Sequence, residues 1–283
     1  MKIITSVSGG TTSAYIAANY PSDYLLFALV RIEDENCRFK DESIRRVVED
    51  RIQAPFIATT EDDKIIYTML DLEQYLGREI VWVTGMTFEQ TIAYKSGFLP
   101  NKVTRYCTTL MKIDPMFRWW HKNIGEPIVM QIGYRANEQE RAVNMLNRCD
   151  ENGLVSYKVT LEKRPDGRNK WETIAWQKPE FPLIRDGIYK DKIIKYWEDK
   201  PVRFASYNNC VGCFHRNPAF LRFMYQEHPE KMEWFEKREG GKSGYWKSVD
   251  GQVIKYERIK RMLSQHTLFD SDFTSCDAGY CGI

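Results

Sequence analysis

The sequence predicts an α/β fold, in which a parallel sheet is flanked by helices and followed by a helical, cysteine-bearing C-terminal part. Over the first two-thirds of the chain, short apolar segments alternate with segments of helical periodicity, and this alternation is typical of parallel sheets covered by helices. A Ser/Gly turn joins the first strand to the first helix. After about residue 188 the pattern becomes helical, and four of the seven cysteines lie there.

The predicted strands are short, continuous apolar runs, as expected for strands that are buried on both faces. The first strand leads directly into the Ser/Gly turn and then into a helix at 14–18. Parallel strands are joined by right-handed crossovers, so ligands are expected at their carboxyl ends. The five predicted strands occupy residues 3–7, 24–30, 56–59, 80–83 and 128–132.

Helices are predicted between and after these strands. In the segment 41–52, Ile44, Val48 and Ile52 recur at helical spacing, and a proline closes the segment. Acidic residues begin the segment 61–76, and a glycine follows its end, which is typical of a helix. Further helices are predicted at 189–199, 218–227, 231–237 and 252–264.

Residues 153–176 are predicted to form a β-hairpin inserted in the α/β core. The β-rich arms, 155–162 and 170–175, flank Pro165-Asp166-Gly167, which is a turn signal. The sequence is accordingly divided into an α/β domain at 1–187 and a helical region at 188–283 that carries the cysteine pairs.

Composition indicates a soluble, cytoplasmic protein. The chain has 283 residues, of which 43% are apolar and 28% charged, an ordinary globular balance. The net charge of +2 neither requires nor excludes nucleic acid. The longest apolar run, 24–30, is too short to span a bilayer, and the N-terminus lacks a signal pattern. In such a chain, seven cysteines favour thiols, metal ligands or nucleophiles over a disulfide framework.

The Ser/Gly turn is a candidate phosphate site. Two glycines let the backbone approach a ligand, and the unpaired N–H groups and dipole of the following helix favour an anion. No Gly-Lys-Ser/Thr closes the turn, so it is not a Walker motif. The candidate residues are Ser8, Gly9, Gly10, Thr11, Thr12 and Ser13.

A second candidate site lies around Cys107. Arg105 and Lys112 bracket this cysteine, and neighbouring cations are expected to lower the pKa of its thiol and to attract anions. The alternative is a buried cysteine on a helix with surface cations.

A third candidate site begins at Gly133, directly after the strand 128–132. Arg135, Glu138 and Arg141 are spaced three apart, so they are expected to share a helix face. The planar guanidinium fork suits phosphate or sulfate. A surface ladder of ion pairs is the alternative.

The remaining cysteines form two close pairs and two isolated residues. Cys210 and Cys213 are separated by a valine and a glycine, and Cys276 and Cys281 lie in the tail. Two close pairs of thiols are typical of a zinc site or an iron–sulfur cluster, with His215 as a spare ligand. Cys37 and Cys149 have no partner pattern and are interpreted as structural.

The turn at residues 8–13 resembles the PP-loop of the adenine-nucleotide α-hydrolase superfamily, which includes N-type ATP pyrophosphatases, tRNA thiolation enzymes and phosphoadenylyl-sulfate (PAPS) reductases. The segment 105–115 resembles Cys-Cys-x-x-x-Lys-x-x-Pro of the adenylyl-sulfate (APS) reductase branch, with Cys107, Lys112 and Pro115 in register. Thr108 stands at the second cysteine. The segment 133–141 is similar to the family's Gly-x-Arg-x-x-Glu-x-x-Arg, and the terminal Cys-Gly-Ile resembles the tail of PAPS reductases.

The resemblance implies a Rossmann-like fold and a PAPS-reductase-like enzyme. ATP or a sulfated nucleotide (PAPS or APS) would bind at residues 8–13, and Arg105, Lys112, Arg135 and Arg141 would neutralise a second anionic group. Thr12 replaces an Asp that many PP-loop ATP pyrophosphatases carry and that could help to handle Mg²⁺.

The resemblance also implies catalytic roles for Cys107, Lys112 and Cys281, and a 4Fe–4S cluster rather than zinc. Two ligand sets are open: the two close pairs of cysteines, or Cys107 with Cys210, Cys213 and one cysteine of the tail. Cys281 is alternatively the nucleophile, reached later by a thioredoxin-like reductant or a sulfur donor protein. Sulfonucleotide reduction, ATP-dependent adenylylation with sulfur transfer, and an accessory or sensor protein of a DNA-modification or defence system all remain open.

Overall fold

The computed structural model describes residues 1–240, 244–249 and 251–262, and its centre is a six-stranded sheet. The strands are β1 Ile3–Val7, β2 Tyr24–Leu29, β3 Ile80–Thr84, β4 Ile128–Gln131, β5 Val155–Lys163 and β6 Asn169–Glu180. Their order is β3-β2-β1-β4-β6-β5. All neighbours are parallel except β5, which pairs antiparallel with β6. The α/β class is confirmed, and the sheet is mixed rather than wholly parallel because β5 occupies one edge.

Helices follow most strands and cover both faces of the sheet. The first seven are α1 Thr11–Asn19, α2 Glu42–Ile52, α3 Lys64–Leu76, α4 Phe88–Tyr94, α5 Tyr106–Thr108, α6 Asp114–Asn123 and α7 Gln139–Leu146. The later ones are α8 Pro182–Arg185, α9 Lys190–Trp197, α10 Pro218–Glu227, α11 Pro229–Arg238 and α12 Tyr256–Lys260. A short strand pair, β7 Ser248–Val249 and β8 Gln252–Val253, precedes α12.

The alternation of side chains along β2 divides the core into two layers. Leu25 and Phe27 pack with apolar side chains of α1, α2, α3 and α9 on one face of the sheet. Leu26 and Ala28 pack with those of α6, α7 and the β5–β6 hairpin on the other. Because successive strand residues point to opposite faces, an entirely apolar strand is buried by both layers.

A third group of buried residues lies where the C-terminal helices meet the first part of the chain. Trp234, Phe235 and Trp246 pack around Phe88 of α4 with ring centroids 5.2 to 6.1 Å apart. Aromatic pairs at this spacing, edge to face, combine area burial with favourable ring electrostatics. The C-terminal helices are therefore held against the segment that precedes Cys107.

Two predicted elements between α2 and α3 differ from the structure. Residues 56–59 do not form the predicted strand, and only an isolated bridge joins Ile32 to Ala58. The helix predicted from residue 61 begins at Lys64, and just before it the Asp62 carboxylate accepts the Lys64 N–H at 2.9 Å, which favours a local turn over a helix. The acidic residues 61–63 thus lie in a loop.

One further predicted helix is wrong, and the predicted hairpin is confirmed. Residues 252–264 were predicted as one helix, yet Gln252–Val253 pairs with Ser248–Val249 and α12 begins only at Tyr256. Gly251, with φ +78°, makes the turn between these strands. The predicted hairpin is present with longer arms, and β6 joins the main sheet beside β4.

Among the described residues, no helix is long and apolar enough to cross a membrane.

Candidate functional site

The turn at residues 8–13 follows β1 and is fixed by its own hydroxyl groups. The Ser8 N–H donates to the Ser13 Oγ at 3.1 Å, and that hydroxyl donates to the Gly10 carbonyl at 3.2 Å. Gly9 has φ +79°, and a Cβ there would lie 2.6 Å from Cγ2 of Ile65. Only glycine fits this left-handed, closely packed position.

The N-terminus of α1 faces the same turn. Gly10 is its cap residue, and no side chain in the described part of the chain caps the helix there. The first-turn N–H groups of an α-helix have no partner within the helix and carry the positive end of its dipole. The indole of Trp197 donates to the Thr11 carbonyl at 3.0 Å and anchors this end of α1.

The order of the strands changes direction at β1, which this turn follows. β2 and β3 lie on one side of β1, and β4 lies on the other. In open α/β sheets, ligands bind outside the carboxyl ends of the strands where the order reverses. A Cβ at Gly133, just after β4, would lie 3.3 Å from Cγ2 of Thr12 and 3.6 Å from the Ser13 nitrogen. The first and third candidate segments therefore meet at this point.

The arginines of the third segment converge on one carboxylate. Nε of Arg135 donates to Oε2 of Glu138 at 3.0 Å, and Arg141 donates to Oε1 of the same carboxylate. The predicted shared helix face is wrong, because α7 begins at Gln139 and only Arg141 lies in it. The grouping arises instead because a loop folds Arg135 back onto Glu138, and the Arg141 guanidinium lies 4.3 Å from the Tyr134 ring centroid.

Cys107 and Lys112 lie on a continuous helical segment with an irregular middle. α5 passes into a π-helical turn, Thr109–Ile113, and then into α6. Pro115 has no N–H to donate to the preceding turn, which favours a local departure from α-helical hydrogen bonding. Such wide turns occur often at functional sites.

The Lys112 ammonium forms an ion pair with Glu61, at 2.8 Å from Oε1. Glu61 is buried, and the pKa of Lys112 is raised despite desolvation because this carboxylate and nearby thiols favour its charged form. Glu61 belongs to the acidic loop before α3 and was not among the predicted site residues. Its signal in the sequence was a run of acidic residues directly after a buried segment, which was interpreted as the start of a helix.

Lys112 lies between two cavities. One, the turn cavity, has a volume of about 20 Å³ and is lined by Ser8, Ala28 and Lys112, among others. The other, the thiol cavity, has a volume of about 50 Å³. Its polar lining is Arg105, Cys107, Thr108, Lys112, Asn209, Cys210, Cys213 and His215. The second candidate segment and the cysteine pair, about a hundred positions apart in sequence, thus share one cavity.

The Cys210–Cys213 loop is held by other elements. Thr60 Oγ1 donates to the Cys210 Sγ at 2.9 Å, and the Val211 N–H donates to the Thr60 carbonyl at 2.8 Å. The Tyr256 hydroxyl donates to the Gly212 carbonyl at 2.7 Å. Gly212 packs directly against the Phe235 ring, so a larger residue would displace that ring. The two cysteines are therefore positioned by the packing around them.

The expected lowering of the Cys107 pKa is wrong. Burial raises the pKa of its thiol to about 11, and this exceeds the opposing effect of the Arg105 charge. Burial likewise raises the pKa of the Cys210 thiol, and it lowers the pKa of His215 to about 4. Without a bound cation, these groups are neutral at pH 7.

The thiols fit the chemistry of a metal site only in part. Thiolates are the preferred ligands of zinc and of iron–sulfur clusters, and a bound metal deprotonates them. In residues 1–240, 244–249 and 251–262, no three histidine, cysteine or acidic side chains are arranged to hold an ion. Cys276 and Cys281, the remaining predicted ligands, lie outside the described residues. Cys37 is buried and Cys149 half-buried, and neither lines the thiol cavity.

Comparison with known proteins gives one partial similarity. No family model matches the chain, and no solved structure matches it. A β-galactosidase of Thermoanaerobacter pseudethanolicus is 25% identical over 113 residues, which are 40% of this chain. The chain covers 13% of the length of that enzyme.

Proposed function

We propose that this chain binds an adenine nucleotide at residues 8–13 and carries out sulfur chemistry on it with the thiols of the neighbouring cavity. The observation that carries the proposal is the position of Lys112, which lines both the turn cavity and the thiol cavity. An anionic ligand that extends from the turn would meet this ammonium before it meets the thiols.

Three features support a nucleotide at the turn. The turn lies at the carboxyl end of β1, where the strand order changes direction, and the N-terminus of α1, which has no side-chain cap, follows it. Gly133 packs on Thr12 and Ser13, and brings the Arg135–Glu138–Arg141 group to the same edge of the sheet. Two guanidiniums on one carboxylate carry a net positive charge, which suits a second phosphate or a sulfate.

Reduction of a sulfonucleotide such as PAPS or APS is the reaction that the cysteine-lined cavity favours. A cysteine thiolate would form a bond to the sulfonate sulfur while the bond from that sulfur to the phosphate oxygen breaks, and the nucleotide leaves with the electron pair. A thioredoxin-like dithiol would then attack the cysteine sulfur, release sulfite and be oxidised to a disulfide. By the family resemblance, Cys281 is the candidate nucleophile.

ATP-dependent adenylylation is the second candidate, favoured by the Ser-Gly-Gly-x-x-Ser turn itself. ATP would transfer its adenylyl group to a substrate oxygen with release of pyrophosphate, and a sulfur nucleophile from a donor protein would then displace AMP. Mg²⁺ would accompany the ATP phosphates. Binding of nucleotide without turnover, as in an accessory or sensor protein, is the outcome if neither reaction occurs.

A 4Fe–4S cluster or a zinc ion would be held by Cys107, Cys210 and Cys213 together with a cysteine of the tail. When bound, it would keep these thiols deprotonated and fix their positions beside Lys112. Visible absorbance and metal analysis of anaerobically purified protein would separate a cluster from zinc.

The test is anaerobic calorimetry with ATP, AMP, PAPS and APS, followed by assays for sulfite and for pyrophosphate. Ser13→Ala removes the hydroxyl that fixes the turn and is expected to weaken binding about fivefold, since one such hydrogen bond contributes about 1 kcal/mol. Ser43→Ala, at an exposed position of α2 distant in sequence from the turn, is the matched control. If no nucleotide binds to the unaltered protein, the proposal is wrong.

A further inference from the structure

The last residue of α4 and the segment between α4 and α5 expose large apolar side chains, and Arg105 at the end of this segment lines the thiol cavity. Tyr94 is 54% exposed, Phe98 is 62% exposed and Val103 is 82% exposed. We call residues 94–105 the aromatic loop. Single exposed apolar residues are common on protein surfaces, whereas several in one short loop mark an interaction surface.

The aromatic loop is also free of acidic residues. From residue 90 to residue 113 the sequence contains no Asp or Glu, and the loop itself carries Lys95, Lys102 and Arg105. Over the whole chain the charges nearly balance, with 41 basic and 39 acidic residues. The loop is therefore a local concentration of positive charge on a molecule that is close to neutral.

The cations of the loop are arranged around its rings and toward the thiol cavity. The Lys95 ammonium lies 5.4 Å from the Tyr94 ring centroid and 5.6 Å from that of Tyr106. Arg105, at the end of the loop, lines the thiol cavity directly. The loop thus leads from an exposed surface to the mouth of the thiol cavity.

We propose that the aromatic loop binds single-stranded nucleic acid. Exposed aromatic faces stack on unpaired bases, and interspersed Lys and Arg side chains neutralise the phosphates between them. Exposed aromatic side chains also occur in protein–protein interfaces, so an acidic protein partner is the competing outcome that the experiment below distinguishes. Paired bases would not be available for stacking, which favours a single strand over a duplex. This proposal rests on the loop alone and does not require nucleotide at residues 8–13.

The experiment measures fluorescence anisotropy of a labelled oligothymidylate or oligouridylate of about 15 nucleotides, titrated with the full-length protein at several salt concentrations. Binding is expected at low salt and is expected to weaken steeply as salt rises. A duplex of the same length and polyglutamate serve as competitors. Preferential competition by either one would overturn the proposal, since the first indicates duplex binding and the second an acidic protein partner.

Two kinds of variant locate the surface. Phe98→Ala is expected to weaken binding by about fivefold to a hundredfold, the range for loss of one stacked base. Tyr189→Ala is the matched control, because Tyr189 is 53% exposed and lies outside the loop, and this variant should leave binding unchanged.

The second kind of variant removes charge. Lys95→Gln combined with Lys102→Gln should reduce the steepness of the salt dependence of binding, and Lys122→Gln is the control. Circular dichroism verifies folding of each variant. Equal losses in the loop variants and the controls would overturn the proposal.

Discussion

The turn at residues 8–13 and the loop that carries Cys210 and Cys213 border neighbouring cavities but are fixed in opposite ways. The turn is held mainly by hydrogen bonds among its own residues and by one left-handed glycine, with one bond from outside, from the Trp197 indole to the Thr11 carbonyl. The cysteine loop is held from outside, by Thr60 and Tyr256. The comparison shows that a binding site of backbone groups can be built locally, whereas a group of thiols needs distant parts of the chain to converge.

The largest expected loss of stability is for substitution of Lys112, which lies between the two regions. Lys112→Met leaves the Glu61 carboxylate buried without its partner and should lower the free energy of unfolding by about 3–5 kcal/mol. Chemical denaturation measures the change. Combining Lys112→Met with Glu61→Gln should recover part of the loss, because the buried charge is then removed.

Lys170→Met is the control for that experiment. Its ammonium also lies 2.8 Å from a carboxylate, that of Glu172, but the pair is on the surface of the hairpin. Little change in unfolding is expected from it, because exposed ion pairs contribute little. Equal losses in the two variants would show that burial of the Lys112 pair is not the cause.

The next effect tests how strictly the turn requires glycine. Gly9→Ala combines left-handed strain with a contact to Ile65, and should destabilise the fold by about 2–4 kcal/mol. Gly77→Ala is the matched control, because Gly77 also has a positive φ but a Cβ there has nothing within 4 Å. Gly77→Ala should destabilise the fold by about 1 kcal/mol, from backbone strain alone. Thermal unfolding of both variants would distinguish strain from contact.

A smaller effect is expected where the cysteine loop is held. Thr60→Val removes the hydroxyl that donates to Cys210 while it keeps the shape of the side chain, and should cost about 1 kcal/mol. Thr173→Val, on an exposed position of β6, is the control. A loss confined to the first variant in urea denaturation would confirm that the loop is held from outside; no loss would contradict it.

The smallest effect concerns pH. Burial lowers the pKa of His228, although Asp62 nearby opposes this and Lys231 reinforces it. A histidine whose folded-state pKa is below its unfolded value of about 6.5 stabilises the fold above that pH, and the contribution is lost as pH falls below it. His228→Gln should therefore flatten the decline in stability from pH 7 toward pH 5. An unchanged decline would contradict this expectation.

The sequence predicted those parts of the fold that depend on local pattern. β1, β2 and β3, with α2 and α10, occur within a few residues of their expected positions because apolar runs and helical periodicity act locally. The strand expected at 56–59 failed, since a short apolar segment is equally compatible with a buried loop. The position of β6 beside β4 depends on long-range pairing, which periodicity does not encode.

The candidate site was predictable in its parts but not in its assembly. The turn at residues 8–13 and the cysteine pair are visible as sequence motifs. The partnership of Lys112 with Glu61 is not, because the two residues are joined only when the acidic loop folds against the helical segment. The raised pKa of Cys107 was missed for a similar reason, since flanking cations are apparent in a sequence and burial is not.

The π-helical turn Thr109–Ile113 has a consequence for the angular placement of the site residues. In a regular α-helix, residues five positions apart point about 140° away from each other. In a turn of i to i+5 bonding, they lie nearly above one another, so Cys107 and Lys112 can face one cavity from a single segment. Regular α-helical bonding of the same residues would turn the thiol about 140° away from the ammonium. The alignment of these two groups therefore depends on the wide turn between them.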